Sequence, residues 1–162
     1  MTKQETYDYL TQHGVSFEVT EHEAVFNMEE LDAVDLPYPT ADAKNLFVRD
    51  DKKQNFYVIT VRGDKRVDLK AFREQYGLRR LSFGSAQELE QLLGLIPGAV
   101  TPLGILADQE RRVILYLDRA FVEEPGLVGV HPNDNTATVW MRTEDLIRII
   151  REHGNEVRLA EL

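Results

Sequence analysis

The order in which strand-like and helix-like stretches follow one another narrows the folds open to this chain more than any other feature. "VSFEVTEH" alternates apolar and polar residues, and "NLFVRD" and "NFYVITVRG" read as a hairpin around the turn-like "DDKKQ". "RLSF", "RRVILYLD" and the two runs flanking "HPNDN" supply the remaining strands, seven in all, with "NEVRLAEL" open to being one more. The helices carry their own punctuation. Lys3 to Gln12 follows Thr2 as N-cap, with Glu5 at the capping-box position and Gly14 beyond the end. "NMEELDAV" follows Asn27 as its cap, "DLKAFREQYG" ends at Gly77, "SAQELEQLLG" runs from Ser85 through Glu88 to Gly94, and "TEDLIRIIREHG" takes Thr143 as cap. Strands and helices do not alternate strictly. The expectation is therefore an α+β fold, one domain over residues 1–162, with a mixed, largely antiparallel sheet flanked by helices. Neither glycine fingerprint of the dinucleotide-binding or P-loop folds is present.

Composition agrees with a folded chain. Its 162 residues suffice to bury roughly 70% of the unfolded surface, and 43% hydrophobic with 29% charged residues is an ordinary globular balance. No apolar run approaches the ~20 residues of a membrane helix, and "MTKQETYDYL" lacks the apolar core of a signal peptide, so a cytoplasmic location is expected. The absence of cysteine excludes disulfides, thiolate metal sites and a cysteine nucleophile. Charge is unevenly spread. Residues 44–80 hold eleven Lys and Arg against five acids, a local +6, which leaves −15 for the rest of a chain of net −9. Such a balance disfavours broad coating of nucleic acid and is compatible with contact to one end or loop of it. A solvated helix and two basic turns would give the same count.

Several constellations can be set aside. The four histidines at 13, 22, 131 and 153 form no HExxH and no carboxylate cluster at metal spacing, and there is no GxSxG elbow. No metal or cofactor is expected. His13 and His153 each precede a helix-ending glycine, where an imidazole suits the last carbonyls. Two loops stand out. "GLIPGAVTPLG" is dense in Gly and Pro yet apolar, so it packs inward; Gly98 would let backbone N–H groups approach a ligand, and a buried crossover without ligand is the other reading. "GVHPNDN" sets His131 at a strand end before an elaborate turn. Lys44 and Asn45 open an apolar strand, where a lysine can also simply reach water along its stem.

"DAKNLFVRD", "PGAVTPLG" and "GVHPNDNTATV", in that order and spacing, resemble the YbaK/prolyl-tRNA editing-domain family, most of all its freestanding members that deacylate alanyl-tRNA(Pro). The likeness extends from "HGVSFEVTEHEAVF" to "LIRIIREHG". It implies that Lys44 is the lysine needed for activity and Asn45 its neighbour at the site. It implies also that Gly98, Ala99, Val100, Thr101 and Pro102 line the aminoacyl pocket, with Asn135 beside it, and that His131 is the site histidine. The implied reaction is water attack on the aminoacyl ester of a mischarged tRNA(Pro), with Lys44 and loop N–H groups stabilising the reacting end and His131 orienting the ester or moving a proton. Arg49, Arg62, Lys65 and Arg66 are then candidates for the tRNA backbone. The expected partner is the acceptor end of tRNA(Pro), with prolyl-tRNA synthetase a further candidate and neither membrane nor DNA. A non-catalytic module binding tRNA ends or a synthetase, or a deacylase for cysteine or serine, would share these motifs.

Overall fold

The computed structural model describes residues 1–24 and 36–162; the helix expected over "NMEELDAV" lies outside them. The described elements run α1 (Lys3–Gln12), β1 (Phe17–Glu21), β2 (Ala43–Asp50), β3 (Phe56–Arg62), α2 (Leu69–Tyr76), β4 (Leu81–Phe83), α3 (Ala86–Leu93), β5 (Val113–Asp118), β6 (Leu127–Val130), β7 (Ala137–Arg142), α4 (Thr143–His153) and β8 (Val157–Ala160). Short 3₁₀ turns cover Pro39–Ala41, Pro102–Ala107 and Arg119–Val122.

The strands form two sheets where one was expected: an antiparallel β1-β7-β6 sheet and a five-stranded sheet of order β4-β2-β3-β5-β8. In the larger one β2 pairs antiparallel with β3 and β4, while β3–β5 and β5–β8 are parallel. Periodicity reports that a strand is half or wholly buried; it does not name its partner, which is why the division escaped the sequence. Both faces of the large sheet are covered. One meets α3, α4 and the small sheet through Phe47, Val58, Leu93, Leu115, Val139 and Ile149. The other meets α2 through Val48, Ile59, Phe72 and Tyr116. A strand covered on both sides reads as a continuous apolar run, and all of Phe56 to Val61 is buried. Each such Val, Ile or Phe contributes about 1.5–3 kcal/mol by leaving water.

The capping boxes Thr2–Glu5 and Ser85–Glu88 form as the residues dictate, and Gly77 and Gly94 close their helices in the left-handed conformation. Thr143 departs from expectation. It is the first residue of α4 rather than its cap, Arg142 precedes it without a side-chain bond, and its hydroxyl donates to the Phe121 carbonyl at 2.6 Å. A buried hydroxyl with a nearby carbonyl is drawn to that acceptor in preference to exposed helix N–H groups.

The two sheets meet at one point that matters for function: Asp42, just before β2, bridges Gly129 of β6 in parallel. Only glycine fits at 129, since a Cβ there would lie 2.2 Å from the ring of the buried Trp140.

Candidate active site

Lys44 and Asn45 occupy the start of β2, opposite Val61 and Thr60 of β3. Alternation along a strand sends the two side chains to opposite faces. Asn45 Oδ1 accepts a hydrogen bond from the hydroxyl of fully buried Thr60 at 2.7 Å. The Asn45 orientation is thereby set by its cross-strand partner on the same face of the sheet. Beside it lies a cavity of about 170 Å³ lined by Asn45, Phe47, Phe83, Pro97, Gly98 and Val100, among others. Gly98 has φ 90°, a region that strains any other residue, and this lets the loop turn against the cavity. Ala99 is 2% exposed and is not part of the cavity wall; its methyl packs behind the loop. Of the "GAVTP" residues, then, Gly98 and Val100 face the space and Ala99 supports it.

Thr101 and Pro102 do something else. Thr101 is wholly buried; its hydroxyl donates to the His131 carbonyl at 2.7 Å, and Pro102 opens the following 3₁₀ turn. Thr101 thus ties the loop to the histidine. The His131 ring nitrogen Nδ1 lies 2.9 Å from the Ala137 carbonyl. A carbonyl can only accept, so Nδ1 carries the proton and Nε2 of the neutral ring keeps its lone pair. Burial, reinforced by the neighbouring His22, holds the His131 pKa below 6.5, against the opposing pull of the Ala137 carbonyl and Asp134. His131 is therefore a neutral acceptor near pH 7.

The Asp42–Gly129 bridge links this histidine to Lys44. Each lies two residues beyond the bridge along its chain, and the Lys44 side chain, directed opposite to Asn45, turns to the Lys65 carbonyl. Lys44 is half-buried, and its ammonium donates to the Lys65 carbonyl at 2.5 Å. Burial, with Arg66 close by, lowers its pKa from 10.5. One N–H of the ammonium is committed to that carbonyl, and two further donors remain for a substrate oxygen.

The turn after His131 is held from three sides. Asn133, with φ 61°, donates to Thr6 of α1 at 2.7 Å, and Lys3 donates to the Thr136 hydroxyl at 2.9 Å. Asp134 accepts from the Thr136 N–H at 2.8 Å and from its hydroxyl at 2.5 Å, which keeps its carboxyl below the usual range. Its charge serves the turn. Asn135 is buried within the same hairpin. His13 bonds to the Tyr9 carbonyl at its helix end, as its position suggests, whereas His153 bonds to the Asn155 side chain and not to a helix carbonyl.

The basic candidates are more dispersed than the sequence count implies. Arg49 pairs with Glu88, Arg62 with Asp64, and Lys65 with the buried Asp118. Acids interleaved in the same stretch or brought in by the fold take up these charges, and Arg66 alone of the four is exposed with no ion pair among the described residues. Three participants escaped the sequence reading: Thr60, Asp118, and His22, whose ring lies 6.1 Å from His131 and whose Nε2 accepts from Thr138 at 3.0 Å. No spacing signals them, because each acts across strands.

Asn45 and the stiff Gly98 loop line the small cavity; Lys44 and His131 are not among its lining residues, and Thr101 ties its loop to the histidine. Residues 22–149 match the aminoacyl-tRNA editing domain. The chain belongs to that family. It is 36% identical to the prolyl-tRNA editing protein ProX of Acetoanaerobium sticklandii, over 99% of this chain and 97% of that one. It is 32% identical to the mouse (Mus musculus) prolyl-tRNA synthetase associated domain-containing protein 1, over 88% and 86% of the two chains. Among solved structures, one described as "a putative trans-editing enzyme for prolyl tRNA synthetase" superposes with a TM-score of 0.72 over 100% of this chain and 97% of that chain; at 19% identity this likeness shows the fold. No helix among the described residues is long and apolar enough to cross a membrane.

Proposed function

We propose that this editing domain is a trans-acting deacylase that hydrolyses alanine from mischarged tRNA(Pro) in the cytoplasm, alongside prolyl-tRNA synthetase. The observation that carries the reading is the cavity formed by Asn45, Gly98 and Val100, whose loop is tied to His131 through the Thr101 hydroxyl, in a chain of the editing-domain family. The name of the relative ProX, a prolyl-tRNA editing protein, supports tRNA(Pro) as the substrate. An aminoacyl ester is activated enough for direct attack by water, so no covalent nucleophile is required. Water bound at the Nε2 lone pair of His131 attacks the carbonyl, and the growing negative charge is met by the Lys44 ammonium and loop N–H groups. The ester breaks to give free alanine and the terminal hydroxyl, which recovers the proton.

Sparing proline is the harder task. One methylene in a pocket separates substrates by only about 1–3 kcal/mol, so rejection rests on a wall that does not yield. Pro97 and the backbone of Gly98, with Val100, form such a wall. The test is a time course of amino-acid release from alanyl-, prolyl-, glycyl-, seryl- and cysteinyl-tRNA. Rapid release of alanine with little of proline is expected. Comparable alanine and proline rates, faster release of cysteine or serine, or binding without release would overturn the assignment.

A further inference from the structure

We propose that Phe83 is a stacking platform for the nucleobase of the substrate's 3′-terminal nucleotide; this rests on the deacylase reading. Phe83 is 62% exposed at the end of β4, the edge strand of the five-stranded sheet. A lone exposed apolar side chain is ordinary, but this one stands on the rim of the cavity that holds Asn45 and Gly98. Its backbone is tightly fixed. The next residue, Gly84, donates to the Phe47 carbonyl at 2.9 Å and lies so close to the Phe47 ring that a Cβ would sit 2.2 Å from it. The ring is thus presented from a rigid strand end. That keeps the ordering cost of a ligand stacking on it low.

The occupant follows from what lies along the same strand. Two residues back, roughly 7 Å at strand spacing, Leu81 lines a second groove whose other walls are Leu69, Lys70, Arg73 and Arg80. It contains three cations and no acid, and none of the three is ion-paired among the described residues. A cationic groove between α2 and the start of β4, a short way from an exposed aromatic, suits a polyanion carrying flat bases, since every base offers a π-face to stack and each phosphate a charge to neutralise. The reacting ester would then enter the cavity past Asn45 while the terminal base rests on Phe83.

The experiment compares kcat/KM for the alanyl ester of a CCA trinucleotide with that of the same trinucleotide lacking its terminal base. Phe83→Ala should lower kcat/KM on the first substrate roughly tenfold, through KM, as loss of one base–aromatic stack does. It should leave the abasic substrate unaffected, and Phe83→Trp should restore the first. Equal losses on both substrates, or none on the first, overturn the subsite; unchanged kinetics with altered self-association of Phe83→Ala would mark a protein contact instead. If the wild-type protein hydrolyses neither ester, the deacylase reading fails, and the Kd of uncharged CCA by fluorescence anisotropy then judges Phe83 directly. A Kd unmoved by Phe83→Ala overturns the subsite.

Discussion

Asp118 offers the sharpest test of how this fold holds Lys44. Its side chain is 2% exposed and each carboxylate oxygen is occupied: Oδ1 by the Ala120 N–H at 3.0 Å and Lys65 Nζ at 3.2 Å, Oδ2 by the Arg62 N–H at 3.2 Å and Lys65 Nζ at 2.9 Å. It pins both ends of the turn whose Lys65 carbonyl receives the Lys44 ammonium. Asp118→Asn is isosteric, yet in either orientation its NH₂ must face an N–H or an ammonium, so the substitution both removes the charge and opposes two donors. Breaking one member of a buried pair costs about 3–5 kcal/mol. Lys65 keeps 26% of its side chain exposed, and water there moves the expectation to about 3 kcal/mol, a large share of a typical total of about 5–15 kcal/mol. With a urea slope of about 2 kcal/mol/M the midpoint should fall by roughly 1.5 M. Below that midpoint kcat should drop roughly ten- to a hundredfold with KM little changed, because a displaced Lys44 binds substrate but meets the carbonyl poorly. Arg62→Ala is the control: its pair with Asp64 is exposed, and its loss should leave the urea midpoint almost unchanged. An Asp118→Asn protein that loses less than about 1 kcal/mol and keeps its kcat would refute this account of the turn.

Lys44→Ala should remain folded by circular dichroism and lose about 10²–10³ in deacylation rate; a folded variant with most of its activity removes Lys44 from the mechanism. The lowered pKa of Lys44 means its cation is lost as pH rises through a value below 10.5, so activity should fall on that alkaline limb once the ester's own spontaneous hydrolysis is subtracted. For His131 the sign is reversed at the acid end. Its folded pKa lies below 6.5, the unfolded chain binds the proton first as pH falls, and His131 therefore costs stability at acid pH and ceases to do so as pH rises past 6.5. Replacing it with Gln should flatten that part of a stability–pH curve, and an unchanged slope would mean that other groups govern it. Arg66→Ala should reduce the salt dependence of tRNA binding by roughly one counterion, with Arg62→Ala changing it less; the opposite ranking would show that the Arg62–Asp64 pair opens on binding.

Local structure was legible wherever one stretch of chain contains its own explanation. The capping boxes at Thr2 and Ser85, the hairpin around "DDKKQ", and the inward packing of "AVTPLG" follow from turn chemistry, caps and apolar patterning within a dozen residues, while Gly94, Ile96 and Pro97 ahead of it stay exposed. The three motifs that carry the family resemblance are visible in the same way, because each is a contiguous run. What the sequence did not contain was the relation between runs. Whether eight described strands form one sheet or two depends on which backbones find each other, and pairing leaves no mark on periodicity. Ala99 and Val100 are adjacent and both apolar, yet only Val100 faces the cavity. Charge misleads for a related reason: a count over residues 44–80 cannot see that Asp118, more than fifty residues from Lys65, neutralises it. Local propensity is a property of neighbours in sequence, whereas a site is made by side chains that the tertiary fold brings together. For this chain one such contact is a backbone bridge, Asp42 to Gly129, 87 residues apart, which joins the two sheets and is possible because glycine leaves room for Trp140.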